Sequence, residues 1–493
     1  MIEFTRIAPH KLKPAPLLII PFWHEKKGAI AASQDLPISL EFATPALATG
    51  DFTGKEGELI LTYPPERDKH ERIALLGLGS KGEITVEKLR RAYGCAIRRA
   101  QEKKITRMAV LFPNSSPLDE ESLARGVIEG LLLGNYMFAR YKTASTETAV
   151  RHVDLVGVSN AVDPLLTQLL ATFHGVYLAR DLVNGCADEI TPQYLSHLAR
   201  NLAGEIPHMK VKVLGRKQLE EEKMGLMLAV ARGSEREPQL IILEYKGTQK
   251  NKEQTLLIGK GVTYDTGGLN LKPTGSMETM RCDMGGAATV FGIMSAVGKL
   301  QLPINIIAII PATENSIDAS SYKPGDVYNS YAQITVEIGN TDAEGRLILA
   351  DALAYGVKQY KPTRIIDFAT LTGAMEITLG DETTGIMSND DSLVDAFTQA
   401  GLFTYERVWR LPLYEEYQDG LKSDIADIKN VGGRAAGSIA AALFLQKFAG
   451  TTAWIHFDIA GTAFLSKEKR YYNKGATAIG VRLTMEYLQS LLP

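Results

Sequence analysis

The chain has 493 residues, 45% hydrophobic and 23% charged, the balance of a soluble globular protein too long for one ordinary core, so two or three domains are expected. Its net charge of −3 excludes a global basic field of the kind that draws proteins to nucleic acid or acidic membranes. Three widely spaced cysteines, Cys95, Cys186 and Cys282, exclude a disulfide scaffold and a CxxC zinc site and fit a reducing compartment.

The opening stretch, "MIEFTRIAPHKLKPAPLLIIPFW", lacks the continuous apolar run and small-residue cleavage site of a signal peptide. Lys299 and Pro303 interrupt the most apolar region, so no bilayer span is predicted and a cytoplasmic protein is expected. Strand-like runs then alternate with helical patterns: "LLIIPF", "GELILTY", "RIALLGLG", "RMAVLF" and "HVDLVGV", with a helix predicted over Val86 to Lys103. A long helix is predicted from Pro164 to Asn184. A second series of strands follows, "VKVLG", "QLIILEY", "TLLIGKG", "INIIAIIP", "ITVEIG", "RIIDFA" and "AWIHFDIA", with helices between most of them. The expected fold is therefore α/β, with a smaller N-terminal domain over residues 1–160, a connecting helix over 161–184 and a larger C-terminal domain over 185–493 built on a mixed central sheet.

"GLGSKG" (Gly77 to Gly82) matches the G-x-G-x-x-G dinucleotide fingerprint, but the next strand ends without the acid that would hold a ribose. The preferred reading is a glycine turn that lets a helix pack closely on its strand. The basic stretch "KLRRAYGCAIRRAQEKK" (Lys88 to Lys104) could form a nucleic-acid face, and a solvated helix is the favoured alternative.

The chemistry concentrates in the second unit, at strand ends, where ligands bind in open α/β sheets. "TLLIGKGVTYDTGGLNLKP" puts Lys260 at the end of a strand, with Asp265 and Lys272 in the glycine-rich loop after it. "MRCDMGGAA" puts Asp283 at a helix N-cap position, and "NTDAEGRL" brings Asp342, Glu344 and Arg346 onto alternate positions of one tight loop. Singly each has a plain explanation: an N-cap for Asp283, an Asx-turn for Asp342, a surface ion pair for Glu344 and Arg346, a snorkelling lysine for Lys260. Four carboxylates meeting in one cleft raise one another's pKa values, and a cation is the natural compensation. Hard oxygen donors without cysteine suit Mn²⁺, Mg²⁺ or Zn²⁺, and several acids able to bridge suggest two of them. HExxH is absent, which excludes the usual zincin arrangement.

These stretches, together with "DFATLTGA", "WRLPLYEEY", "LKSDIADIKNVGGRAAGSIAAALFL" and "HFDIAGTA", resemble the leucyl aminopeptidase family, the two-metal cytosol aminopeptidases, and "NTDAEGRL" is that family's signature. The resemblance runs from Asp181 to the C-terminus. It implies a metallo-exopeptidase that releases N-terminal leucine and other bulky apolar residues from peptides with a free N-terminus. It assigns two divalent ions, Mn²⁺ or Zn²⁺, to Lys260, Asp265, Asp283, Asp342 and Glu344, with Asp265 and Glu344 bridging. It assigns oxyanion stabilisation to Lys272, and to Arg346 a bicarbonate ion that acts as general base. Met280, Thr370, Gly373, Ala460 and Ala463 match the positions that line the family's side-chain pocket, with ordinary core packing as the alternative. The resemblance also implies a homohexamer of 32 symmetry. Tyr264, Tyr414 and "NGCADEITP" depart from the common pattern without removing a ligand. The rival functions are a DNA-binding architectural role, a two-metal phosphoesterase and a catalytically inactive relative.

Overall fold

A computed structural model describes the chain except residues 27, 34, 35, 37, 65–69, 144–147, 251 and 493. It divides into two compact units: residues 1–170 with 467–474, and 171–466 with 475–493. Among the described residues, no helix is long and apolar enough to cross a membrane.

The first unit is built on a seven-stranded sheet. Its order is Glu3–Ile7, His152–Val156, Arg107–Leu111, Leu18–Glu25, Ile73–Gly77 and Leu59–Thr62, with Gly28–Ala31 paired to Leu18–Glu25. Pairing is parallel except for the strands Leu59–Thr62 and Gly28–Ala31. The strand Glu3–Ile7 escapes sequence reading because it is an edge strand with no buried side chain to set up an alternation. Gly77 ends its strand, but the predicted close helix packing is not what the residue provides. A Cβ there would stand 2.1 Å from the Lys55 carbonyl oxygen, so the glycine admits the neighbouring chain of residues 54 and 55. The helix itself starts later, at Val86, capped by the Thr85 side chain.

That helix, Val86–Glu102, carries the basic stretch, and its charges are matched. Lys88 approaches Glu56 and Glu83, Arg91 binds Glu87 at 2.9 Å, Arg98 binds Glu468 at 3.3 Å and Arg99 binds Glu102 at 2.6 Å. Arg90 is buried against Glu129 and lies 3.5 Å from Glu87. Pairing with acids leaves this helix little of the unbalanced positive field that nucleic-acid binding needs.

The second unit is built on a nine-stranded mixed sheet in the order Val408–Arg410, Thr384–Ser388, Ala453–Asp458, Arg364–Ala369, Thr255–Gly259, Asn305–Asn315, Gln239–Lys246 and Met209–Leu214. The four central strands, from Ala453–Asp458 to Asn305–Asn315, are parallel. Their runs of Ile, Leu, Ala and Phe are what a sheet covered on both faces requires. Leu256, Ile258, Ile307, Ile309 and Ile365 share a core with Leu347, Leu353 and Phe444 of two covering helices. "ITVEIG" lies outside this sheet, as Thr335–Glu337 in a separate three-stranded one.

One irregularity positions the site. The eleven-residue strand Asn305–Asn315 pairs first with Thr255–Gly259 and then with a further strand, Gly261–Asp265. Lys260 occupies the break between the two, its N–H bonded sideways to Phe368 O and its carbonyl accepting from Ala287 N. Asp265 therefore ends a strand rather than lying in the loop predicted for it, because a one-residue interruption hides the continuation.

Candidate metal centre

Lys260 and Asp265 lie at the carboxyl ends of strands of this sheet, Asp283 follows a short turn, and Asp342 and Glu344 come after the strand Thr335–Glu337 of the separate sheet; the fold brings all five together. Lys260 Nζ is 2.8 Å from Asp283 Oδ1, 2.9 Å from Glu344 Oε1, and donates to Thr370 O at 2.8 Å. Lys272 Nζ is 2.8 Å from Asp265 Oδ2 and 2.5 Å from Asp342 Oδ1. Carboxylate oxygens of Asp265, Asp342 and Glu344 lie within 4.8 Å of one another.

Local structure explains each placement and corrects two expectations. Asp283 is not a helix N-cap: the helix Gly285–Leu300 has Met284 at that position, and Asp283 follows the short turn Met280–Cys282. Its carboxylate instead accepts from Lys260 and from Thr370 Oγ1 at 2.8 Å. Glu344 and Arg346 do not share a loop with Asp342, since Glu344 begins the helix Glu344–Tyr360. The helix dipole favours an acid in this first turn. Gly345 lets Lys260 cross that turn, because a Cβ there would meet Lys260 Cε at 2.5 Å.

A framework of uncharged side chains, which sequence reading did not single out, joins the loops. Asn315 Nδ2 donates to Asp265 Oδ1 at 2.8 Å and to Thr341 O at 3.0 Å. Thr341 Oγ1 donates to Gly267 O and accepts from Asn270 N, tying the Asp265 loop to the Asp342 loop. Asn430 Oδ1 accepts from Gly339 N at 2.8 Å, and Asn430 O accepts from Arg346 Nη1 at 2.7 Å. The only signal in the sequence was the presence of polar residues beside the acids.

The electrostatics are those of a cation-binding cluster. Burial pushes the Asp265 carboxyl up to about 6, helped by Glu344 and opposed by both lysines. Burial likewise raises Asp283 well above the usual range and raises Asp342. Glu344 moves down, because Lys260 and Lys272 outweigh its burial. Burial acts to lower both lysines, but the surrounding carboxylates outweigh it and hold them protonated. Arg346 is lowered to about 10 by burial, against the pull of Glu344 and Asp458. Four acids against two lysines leave an acid excess, and Asp283 Oδ2 and Glu344 Oε2 are buried with no hydrogen-bond partner among the described residues. Buried anionic oxygens without partners are costly, and divalent cations satisfy them with oxygen ligands. The donor set fits such ions.

Beside this cluster the structure gathers part of the predicted pocket. A Cβ added at Gly285 would be 3.3 Å from Thr370 Cγ2 and 3.4 Å from Ala463 Cβ, so these two side chains flank one point. Met280 opens the turn that leads to Asp283. Ala460 N donates to Asp458 Oδ1 at 3.2 Å. Gly373 begins the helix Gly373–Leu379, with open space where a Cβ would stand.

Residues 177–485 match the catalytic domain of the cytosol aminopeptidase family, and residues 19–145 match that family's N-terminal domain. The chain is 50% identical over 486 residues to a probable cytosol aminopeptidase of Protochlamydia amoebophila, covering 98% of this chain and 97% of that one. It is 46% identical over 499 residues to a probable cytosol aminopeptidase of Chlamydia trachomatis serovar A, covering 100% and 99%. Among solved structures, a variant of tomato leucine aminopeptidase superposes with a TM-score of 0.89 at 30% identity, covering 99% of this chain and 97% of that one. The bottromycin maturation enzyme BotP in complex with Mn superposes with a TM-score of 0.86 at 29% identity, covering 97% and 99%. With both domains matched along nearly its whole length, the chain belongs to the cytosol aminopeptidase family and is a peptidase.

Proposed function

We propose that the chain is a metal-dependent aminopeptidase that releases leucine and other bulky apolar residues from the free N-terminus of peptides. The observation that carries this reading is the buried acid excess, with Asp283 Oδ2 and Glu344 Oε2 unpartnered at the carboxyl edge of the sheet. Asp265, Asp283, Asp342, Glu344 and Lys260 would hold two divalent ions, Mn²⁺ or Zn²⁺, with Asp265 and Glu344 shared. Bound there, the ions would supply an anchor for the α-amine, polarisation of the scissile carbonyl and activation of water near neutral pH. Lys260 is an ammonium among the acids alone, and it would ligate only after releasing its proton to solvent, a loss that the charge of incoming ions would favour.

The remaining roles belong to side chains. Lys272 stays protonated and donates to the oxyanion that forms on the scissile carbonyl. Arg346 donates one bond to Asn430 O, while its buried Nε has no partner, which leaves donor capacity for a small anion. Bicarbonate held there would supply a proton acceptor. Thr370 and Ala463, with Met280, Gly373 and Ala460, would line an adaptable apolar slot for the leaving residue's side chain. A cytoplasmic homohexamer belongs to the same reading, and a stable monomer on sedimentation would contradict it.

The test is turnover of a leucine anilide before chelation, after chelation and after return of Mn²⁺ or Zn²⁺. Loss and recovery are expected, and turnover that persists in chelator would remove the metal from the reading.

A further inference from the structure

Asp458 ends the strand Ala453–Asp458 and is 1% exposed, yet it is not among the acids of the metal cluster. Its Oδ1 accepts from Leu371 N at 3.1 Å, Thr372 N at 3.4 Å and Ala460 N at 3.2 Å. Its Oδ2 accepts from Thr372 Oγ1 at 2.6 Å, and that hydroxyl lies 2.7 Å from Ser438 Oγ. One carboxylate thus gathers the loops that follow two neighbouring parallel strands. The first loop begins with Thr370. The second runs from Ala460 to Ala463 as a tight turn, with Thr462 N and Ala463 N both bonded to Ile459 O. These loops bring Thr370 and Ala463 to either side of Gly285.

The carboxylate has its own support. His456, two residues back on the same strand and so on the same face, is fully buried. Its Nδ1 donates to Asp367 Oδ1 at 2.5 Å, and Trp454 Nε1 donates to Asp367 Oδ2 at 2.6 Å. Burial acts to lower the imidazole, but Asp367 and Asp458 outweigh it and favour the imidazolium. Burial holds the Asp458 carboxyl above its ordinary range, and the His456 cation and the Thr372, Leu371 and Ala460 donors oppose that effect. An ionised carboxylate accepts several N–H and O–H donors at once, as this one does.

We propose that Asp458, supported by the His456–Asp367 pair, is a positioning residue for side-chain selectivity: it sets the spacing between the Thr370 loop and the Ala460–Ala463 turn. The inference rests on the pocket reading given above. The carboxylate touches neither substrate nor metal, and it acts through the backbone N–H groups it holds.

The experiment compares kcat and KM for leucine and alanine anilides, at equal Mn²⁺ content, in Asp458→Leu, Asp458→Asn and Ala463→Leu. A pocket wall displaced by a fraction of a side chain costs the larger substrate more. Asp458→Leu should lower leucine-over-alanine selectivity by about 10-fold, chiefly through KM for leucine. Asp458→Asn should recover most of it, because the amide oxygen still accepts from Leu371 and Ala460. Ala463→Leu should also change selectivity, as direct intrusion into the slot. If Ala463→Leu shifts selectivity while Asp458→Leu leaves the ratio unchanged, the pocket stands and the positioning role is overturned. If neither variant moves the ratio, the pocket reading falls and the inference with it. Should Asp458→Leu fail to fold, Thr372→Val removes the donor to Oδ2, and an unchanged ratio there would equally overturn the proposal.

Discussion

Two buried clusters of charge in this chain behave in opposite ways. In the first unit, Arg90 is buried against Glu129 and 3.5 Å from Glu87, Arg125 lies 3.8 Å from Glu129, and Tyr471 Oη donates to Glu87 at 3.3 Å. Acids and bases there are matched. In the second unit, among the described residues, the four acids Asp265, Asp283, Asp342 and Glu344 form ion pairs with two bases, Lys260 and Lys272, and two carboxylate oxygens have no hydrogen-bond partner. Burial alone does not distinguish structure from function: Asp265, Asp283 and Glu344 are as buried as Arg90 and Glu129, while Asp342 is exposed. The balance does: a closed network holds elements together, whereas an acid excess is completed by something the chain does not supply.

Substitutions can sharpen this contrast. The largest effect is expected from Glu344→Ala, which removes the acid that the proposal assigns to both ions. Activity should fall by more than about 10³ together with metal content, read by elemental analysis and turnover. Lys272→Ala should separate the two readouts, losing about 10²–10³ in kcat while keeping its metal. Near-normal turnover in that variant would refute the oxyanion role. Arg90→Met should do the reverse. Taking Arg90 away from buried Glu129, which keeps Arg125 at 3.8 Å, should cost about 3 kcal/mol of stability in denaturant unfolding, with metal content unchanged in the folded protein. Metal loss in Arg90→Met would break the contrast.

The same contrast has a pH signature. Asp265 titrates near 6 in the folded chain, above its ordinary 3.8, so its charged form is disfavoured by folding. Without metal, its contribution to stability is present at low pH and is lost as pH rises from about 4 to about 6. Metal needs the ionised form, so affinity should rise across that same window, and the raised Asp283 extends it upward. The gap between thermal midpoints in Mn²⁺ and in chelator should therefore widen from pH 5 to pH 8. A constant gap would contradict it. The smallest effect is expected at the half-exposed Arg91, where Arg91→Ala should change stability by about 1 kcal/mol or less.

That Lys260, Asp265, Asp283, Asp342 and Glu344 come together was legible in the sequence: Lys260 and Asp265 end hydrophobic runs of the covered sheet, and Asp342 and Glu344 follow a short run that pairs in a separate sheet. The errors were local. Asp265 was read as a loop residue because the break at Lys260 hides a second strand. Asp283 was read as a cap because the helix begins one residue later than the pattern suggests. Glu344 was read into a loop because its helix starts on the polar residues themselves. What the sequence concealed is the framework: Asn315, Thr341, Asn430 and Asp458 act on partners far along the chain. Asp458 and Thr372, for instance, are 86 positions apart. No local pattern announces such a bond, and an acid at the end of an apolar strand reads equally well as a turn.

The most direct test of the central claim is hydrolysis of a leucine anilide beside its N-acetylated twin, with Mn²⁺ and again in chelator. The account predicts cleavage of the free-amine substrate alone, abolished by chelation and restored by metal. Cleavage of the acetylated twin at a comparable rate, or of either substrate in chelator, would contradict it.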